Sequence, residues 1–275
     1  MRRKQLIAAA AVPALIAWIA VSAGASGNPG PQQGANQDRS RPLLATTLWH
    51  TFTTSTDGGT TFRVSNEGNV YSIESPTGYE HVDVGLTEEG YLLCYTPFGM
   101  SEVQNYDLAF GSAGFGAATH SSVAPWTVTR NTSDGRMQLK QVFTFNGTSK
   151  SLTVAMTVKN LTGATVSDVI VARVADFDVD VGGASGFADY SDNWFAATNA
   201  AVFAWNTGSH GLVLRHLKQA TGATRNALMP SAPDSCHSGG TSGPTQGDQV
   251  AYVSYLVGNV AAGASKTVTI QYVRD

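Results

Sequence analysis

The densest group of residues able to do chemistry is Asp176, Asp178 and Asp180, in the stretch VADFDVDVGG. On an extended strand, residues two apart share a face, so these three carboxylates are expected side by side. Like charges that close repel, and they require a cation, a basic partner or open solvent at a strand end. Asp189, Asp192 and Asn193 follow in FADYSDN, and together these side chains offer hard oxygen ligands of the kind Ca²⁺ takes. The spacing is not that of an EF-hand: Val181 stands where that loop needs glycine, and Phe187 where it needs a bidentate glutamate. The expected metal set is therefore Asp176, Asp178, Asp180, Asp189 and Asp192, with Ca²⁺ as the cofactor. A solvated acidic strand end is the plain alternative.

Tyr190, Asp192, Asn193 and Trp194 supply a second chemistry. An exposed aromatic ring has an apolar face that can cover the C–H surface of a sugar, while neighbouring amides and carboxylates hold hydroxyls. Trp126 and Trp205 are expected instead to fill the core, where aromatic side chains bury large areas. The six histidines are scattered, and none shows H-E-x-x-H or a similar ligand spacing. His50 and His81 read as ordinary strand residues. His237 lies beside Cys236 in the longest irregular stretch, where binding residues often occur. The expected ligand-binding set is Tyr190, Asn193, Trp194 and His237. There is no G-x-S-x-G nucleophile elbow and no glycine loop between a strand and a helix that would cradle phosphate. No catalytic residue is assigned.

These residues must be positioned by strands. Lys150–Lys159 (KSLTVAMTVK) puts Leu152, Val154, Met156 and Val158 on one face and polar residues on the other, and Lys266–Val273 repeats the pattern. Val169–Val174 and Gln249–Val257 are apolar on both faces, as interior strands are. Leu212–Leu217 is read as a strand. Asp57-Gly58, Asp134-Gly135 and Asn146-Gly147 signal hairpins, because these dipeptides tolerate positive φ. Lys218–Asp248 is the longest irregular stretch, and Phe110–Gly116 is a glycine-rich connection. The fold expected is all-β: a large antiparallel β-sandwich of one domain, residues 43–275.

Ahead of it, Arg2, Arg3 and Lys4, the apolar run Leu6–Val21 and Ala23-Gly24-Ala25 have the layout of a cleavable secretory signal over residues 1–25. Residues 26–42 lack large apolar side chains and read as a flexible linker. The expected location is secreted, periplasmic or cell-surface, with no membrane span after cleavage. In that compartment Cys94 and Cys236 are expected to form a disulfide, which in the chain-entropy model stabilises by on the order of 4–5 kcal/mol for so long a loop. The chain holds 17 Lys and Arg against 20 Asp and Glu, and loss of the signal leaves 14 against 20, a net charge of −6. That argues against nucleic acid as a partner.

Val158–Thr162, then Val166–Arg173, then Asp176-Phe177-Asp178 resemble a pattern in uncharacterised secreted bacterial β-sandwich proteins: a strand ending in Asn, then a strand ending in Arg-x-x-Asp-aromatic-Asp. The resemblance covers about residues 124–210. More loosely, the segment is similar to strand pairs in sandwiches of carbohydrate-active proteins. It implies an extracellular sandwich and no particular activity. The function expected is an exported, non-catalytic binding or envelope-associated module, glycan-binding with Ca²⁺, whose partner is an extracellular glycan or a surface protein. The rivals are a carbohydrate-active enzyme of the epimerase or lyase type and a purely structural surface protein.

Overall fold

A computed structural model describes residues 48–82, 89–108, 111–179, 193–206, 210–218, 224–229, 235–237 and 240–274. The expected signal peptide and linker lie outside these. The described strands form three antiparallel sheets. The smallest has the order β1 (Leu48–Thr54), β2 (Thr60–Ser65), β3 (Val70–Glu74). A six-stranded sheet has the order β15 (Thr224–Met229), β17 (Val250–Val260), β11 (Val166–Asp176), β4 (Gly90–Thr96), β5 (Val103–Leu108), β6 (Gly111–Ala113). A nine-stranded sheet has the order β16 (Thr245–Gln246), β12 (Trp194–Ala197), β13 (Ala201–Trp205), β14 (Gly211–Lys218), β18 (Ser265–Arg274), β10 (Ser151–Asn160), β9 (Met137–Asn146), β8 (Trp126–Asn131), β7 (Thr119–His120).

The alternation read in the sequence becomes the sandwich interface. Leu152, Val154, Met156 and Val158 of β10 and Val268 and Ile270 of β18 face Val169, Val171 and Ala175 of β11 and Val253, Tyr255 and Val257 of β17 in one core. Phe62, Val64, Val70 and Ile73 of the small sheet enter that same core. The six-stranded sheet is buried on its other face too. Leu92, Cys94, Ala172, Val174 and Tyr252 cluster there with Ala227, Met229 and Cys236. This double burial is the reason β11 and β17 read as apolar on both faces. The Cys94–Cys236 disulfide forms, with Cα atoms 6.2 Å apart, and fixes the covering segment to β4.

Two stretches read as irregular contain strands. Thr224–Met229 pairs with Val250–Tyr255, and Gly111–Ala113 pairs with Tyr106–Leu108. Both are edge strands with weak alternation of their own, and pairing with a buried neighbour supplies the order that the local sequence lacks.

A polar group centred on Arg173 sits inside the core. Arg173, fully buried, donates from Nε to Glu89 Oε1 at 2.7 Å, from Nη1 to Gln141 Oε1 at 2.6 Å and from Nη2 to the Gly68 carbonyl at 3.0 Å. Glu89 also accepts the Tyr272 hydroxyl and the Val70 amide. All three sheets meet there. Gly68 has φ +93°, and a Cβ on it would stand 2.4 Å from Gln141 Nε2, so only glycine fits.

Candidate functional site

Strand β11 ends at Asp176, but its alternation continues. Phe177 and Val179 go into the core, while Asp176 and Asp178 fall on the other side, both only 3% exposed. The Asp178 amide donates to the His81 carbonyl at 2.9 Å. Val179 is held by the residues that flank β12 and β13. Asn206 Nδ2 donates to its carbonyl at 3.1 Å. The Asn193 amide, turned so that nitrogen faces the carbonyl, donates to Val179 O and accepts from Val179 N, both at 3.1 Å. Asn193 also accepts the Gly247 amide at 3.0 Å through its own carbonyl. That bond carries Asp248 to the cluster, and one carboxylate oxygen from each of Asp176, Asp178 and Asp248 lies within 4.8 Å of the others.

Two oxygens each about 2.4 Å from one Ca²⁺ can be at most about 4.8 Å apart, a limit that the spacing of the three carboxylates meets. Ca²⁺ takes six to eight oxygens, and the remaining positions would go to carbonyls or water. Burial raises the Asp248 carboxyl above its ordinary value. At an effective dielectric constant of about 20, two full charges at this separation repel by roughly 3 kcal/mol, which a divalent ion or a shared proton removes.

Of the expected metal ligands, Asp176 and Asp178 come together here, and Asp180, Asp189 and Asp192 lie outside the described residues, as does Tyr190. Asp248 was missed. It is remote in sequence and carries no local signal beyond its place before β17. Asn193 is buried at 1%, and its side chain is committed to the Val179 backbone. It positions the site from behind. Trp194 is half-buried at the start of β12, in register with Trp205. Trp205, expected in the core, is on the solvent face of the sheet at 36% exposure, because it alternates with the buried Val202 and Ala204. Trp126 packs partly against the core and stacks on His50 at 3.7 Å.

His237 is elsewhere. Its Nε2 meets Glu102 Oε2 at 2.6 Å. Glu102 adjoins Val103, which pairs with Tyr95, on the side of Cys94 away from Asp176. Cys94 is in register with Ile170, roughly 20 Å along β11 from Asp176. His120, on the far edge strand β7, hydrogen-bonds the Asn66 carbonyl at 2.6 Å. These two histidines and the acidic cluster therefore do not share a site. His81, expected in a strand, follows β3 in a turn and is wholly buried, with Nε2 2.7 Å from the Ser75 carbonyl.

No family model matches the sequence, and no curated protein matches it in sequence. In fold the chain is similar to a bacterial glucoamylase solved in complex with acarbose, at 9% identity and a TM-score of 0.55, over 83% of this chain and 33% of that one. A heparan sulfate lyase mutant from Pedobacter heparinus aligns at 10% identity and a TM-score of 0.46, over 83% of this chain and 35% of that one. The chain thus spans about a third of the length of each. The glucoamylase likeness is one of fold alone.

Proposed function

We propose that the chain is an exported glycan-binding module that holds Ca²⁺ at the end of β11. The observation that carries this reading is the convergence of Asp176, Asp178 and Asp248, two of them almost entirely buried, with carboxylate oxygens spaced for one hard cation. A likeness in fold to a glucoamylase bound to acarbose is in keeping with a carbohydrate ligand. The ion would lock Asp178, just after β11, to Asp248, just before β17. The test is binding of the purified chain to a broad glycan panel in Ca²⁺ and again in EDTA. Selective binding that EDTA abolishes supports the reading. Absence of binding in both buffers rejects it in favour of a structural or protein-binding role.

A second reading, a carbohydrate-active enzyme of epimerase or lyase type, is favoured by one observation. The His210 ring lies 5.4 Å from that of Tyr79 and 6.3 Å from that of His81, the residue whose carbonyl holds Asp178. An acid–base group and carboxylates would then share one end of the sandwich. Turnover of a sugar or uronate substrate that is lost in His210→Gln would establish it.

A further inference from the structure

The nine-stranded sheet has one face in the core, through Leu212, Leu214, Leu152, Val154, Val268 and Ile270. Its other face is uncovered among the described residues and has two distinct halves. At the β12–β13 edge stand Trp194, Phe203 and Trp205, the last two 37% and 36% exposed. Beside them a polar row crosses three strands. Arg215 donates to Gln271 Oε1 from Nε at 2.9 Å and from Nη2 at 2.6 Å. Gln271 donates in turn to Ser151 Oγ and Thr153 Oγ1, both at 3.1 Å. Further along, Lys140 and Lys159 face the same way on β9 and β10, interleaved with Thr157 and Thr267, whose hydroxyls are 2.8 Å apart. A depression of about 540 Å³ opens at the far edge among Thr127, Thr129, Gln138 and Lys140.

The charge on this face opposes that of the whole. Residues 26–275 carry a net −6 by sequence, yet the charged residues described on the strands of this face are Arg215, Lys140 and Lys159, all cationic. A row of prealigned hydrogen-bonding groups next to exposed aromatic rings suits a ligand with apolar C–H faces, many hydroxyls and negative charge. Arg215 uses two of its five N–H donors on Gln271, which aims the guanidinium and leaves three for an anionic oxygen. From β13 to β9 the face spans four strand spacings, roughly 19 Å, enough for several sugar rings in a row.

We propose that this face binds an acidic polysaccharide laid across the strands, with the Trp205 and Phe203 rings under its sugars and Arg215, Lys140 and Lys159 paired with its anionic groups. This deepens the glycan-binding reading and uses a surface separate from the acidic cluster. The test is calorimetric binding of the full chain, in EDTA, to oligogalacturonate, dextran sulfate and neutral dextran. Binding of a polyanion and not of dextran is expected, with the carboxylated and sulfated arms identifying the anion. Trp205→Ala, which leaves every charge in place, and Arg215→Gln should each weaken binding about tenfold with the melting temperature unchanged, and Lys140→Gln should weaken it less. Failure of both polyanions to bind, equal binding of dextran, or unaltered binding by Trp205→Ala and Arg215→Gln overturns the proposal. Ca²⁺-dependent binding of a neutral glycan without polyanion binding would leave the earlier reading standing and remove this one. Polyanion binding in EDTA with no Ca²⁺-dependent binding would do the reverse.

Discussion

Strand β11 carries two buried ionisable side chains with different neighbours. Arg173, on the face toward the nine-stranded sheet, has its counter-ion Glu89 at 2.7 Å, Tyr272 shares the Nε donor with it, and Gln141 and the Gly68 carbonyl accept from Nη1 and Nη2. Burial alone would lower its proton affinity, but the Glu89 charge raises it and keeps the guanidinium charged. Asp176, three residues on and on the opposite face, meets the carboxylates of Asp178 and Asp248. A buried charge compensated within the chain marks a structural junction. Three carboxylates gathered this closely give a cation or a proton a reason to bind.

The largest test of this contrast is Arg173→Met. It leaves Glu89 buried without its cation and should cost about 3–5 kcal/mol in urea unfolding, while Arg173→Met with Glu89→Leu should recover most of the loss. Near-normal stability of the single variant would dissolve the distinction. Next comes Ca²⁺ itself. At a concentration a hundredfold above its dissociation constant the ion should stabilise the chain by about 2.7 kcal/mol, and Asp176→Asn with Asp178→Asn should abolish the response. Identical melting in Ca²⁺ and EDTA would reject the ion.

A smaller effect concerns pH. The folded state holds the Asp248 proton more tightly than the unfolded chain, whose ordinary value is 3.8. In EDTA this group should therefore add stability as pH falls through its raised value, and lose that stability as pH rises. Asp248→Asn should flatten this part of the profile, and saturating Ca²⁺ should suppress it by favouring the ionised form. A slope unchanged in Asp248→Asn would place the titration elsewhere. The smallest effect belongs to the solvent-facing pair His237–Glu102, whose side chains are 57% and 24% exposed. His237→Ala should alter stability by no more than about 0.5 kcal/mol, since water and salt already screen such a pair. A larger loss would give the surface pair the weight reserved here for the buried one.

Much of the sandwich was legible because the core imposes a two-residue period wherever one face of a strand is buried. Leu152–Val158 and Val268–Tyr272 show it directly. Leu212–Leu217, read as a strand, is one. The same local logic put Asp176 and Asp178 on one side. Thr224–Met229 was not legible, because an edge strand takes its order from the neighbour it pairs with. Trp205 was misplaced because a tryptophan in an apolar run reads as core until the register says which face it takes.

The sequence by itself determined the strand periods, the hairpin turns and the acidic end of β11, since all of these follow from residue type and spacing of a few positions. Only the tertiary structure decided that Glu89 meets Arg173, that Asp248 joins Asp176 and Asp178, and that Arg215, Lys140 and Lys159 share one sheet face. Those contacts join residues dozens of positions apart, and their distances are set by strand order and register, which the burial of the whole core selects and no local stretch of chain encodes.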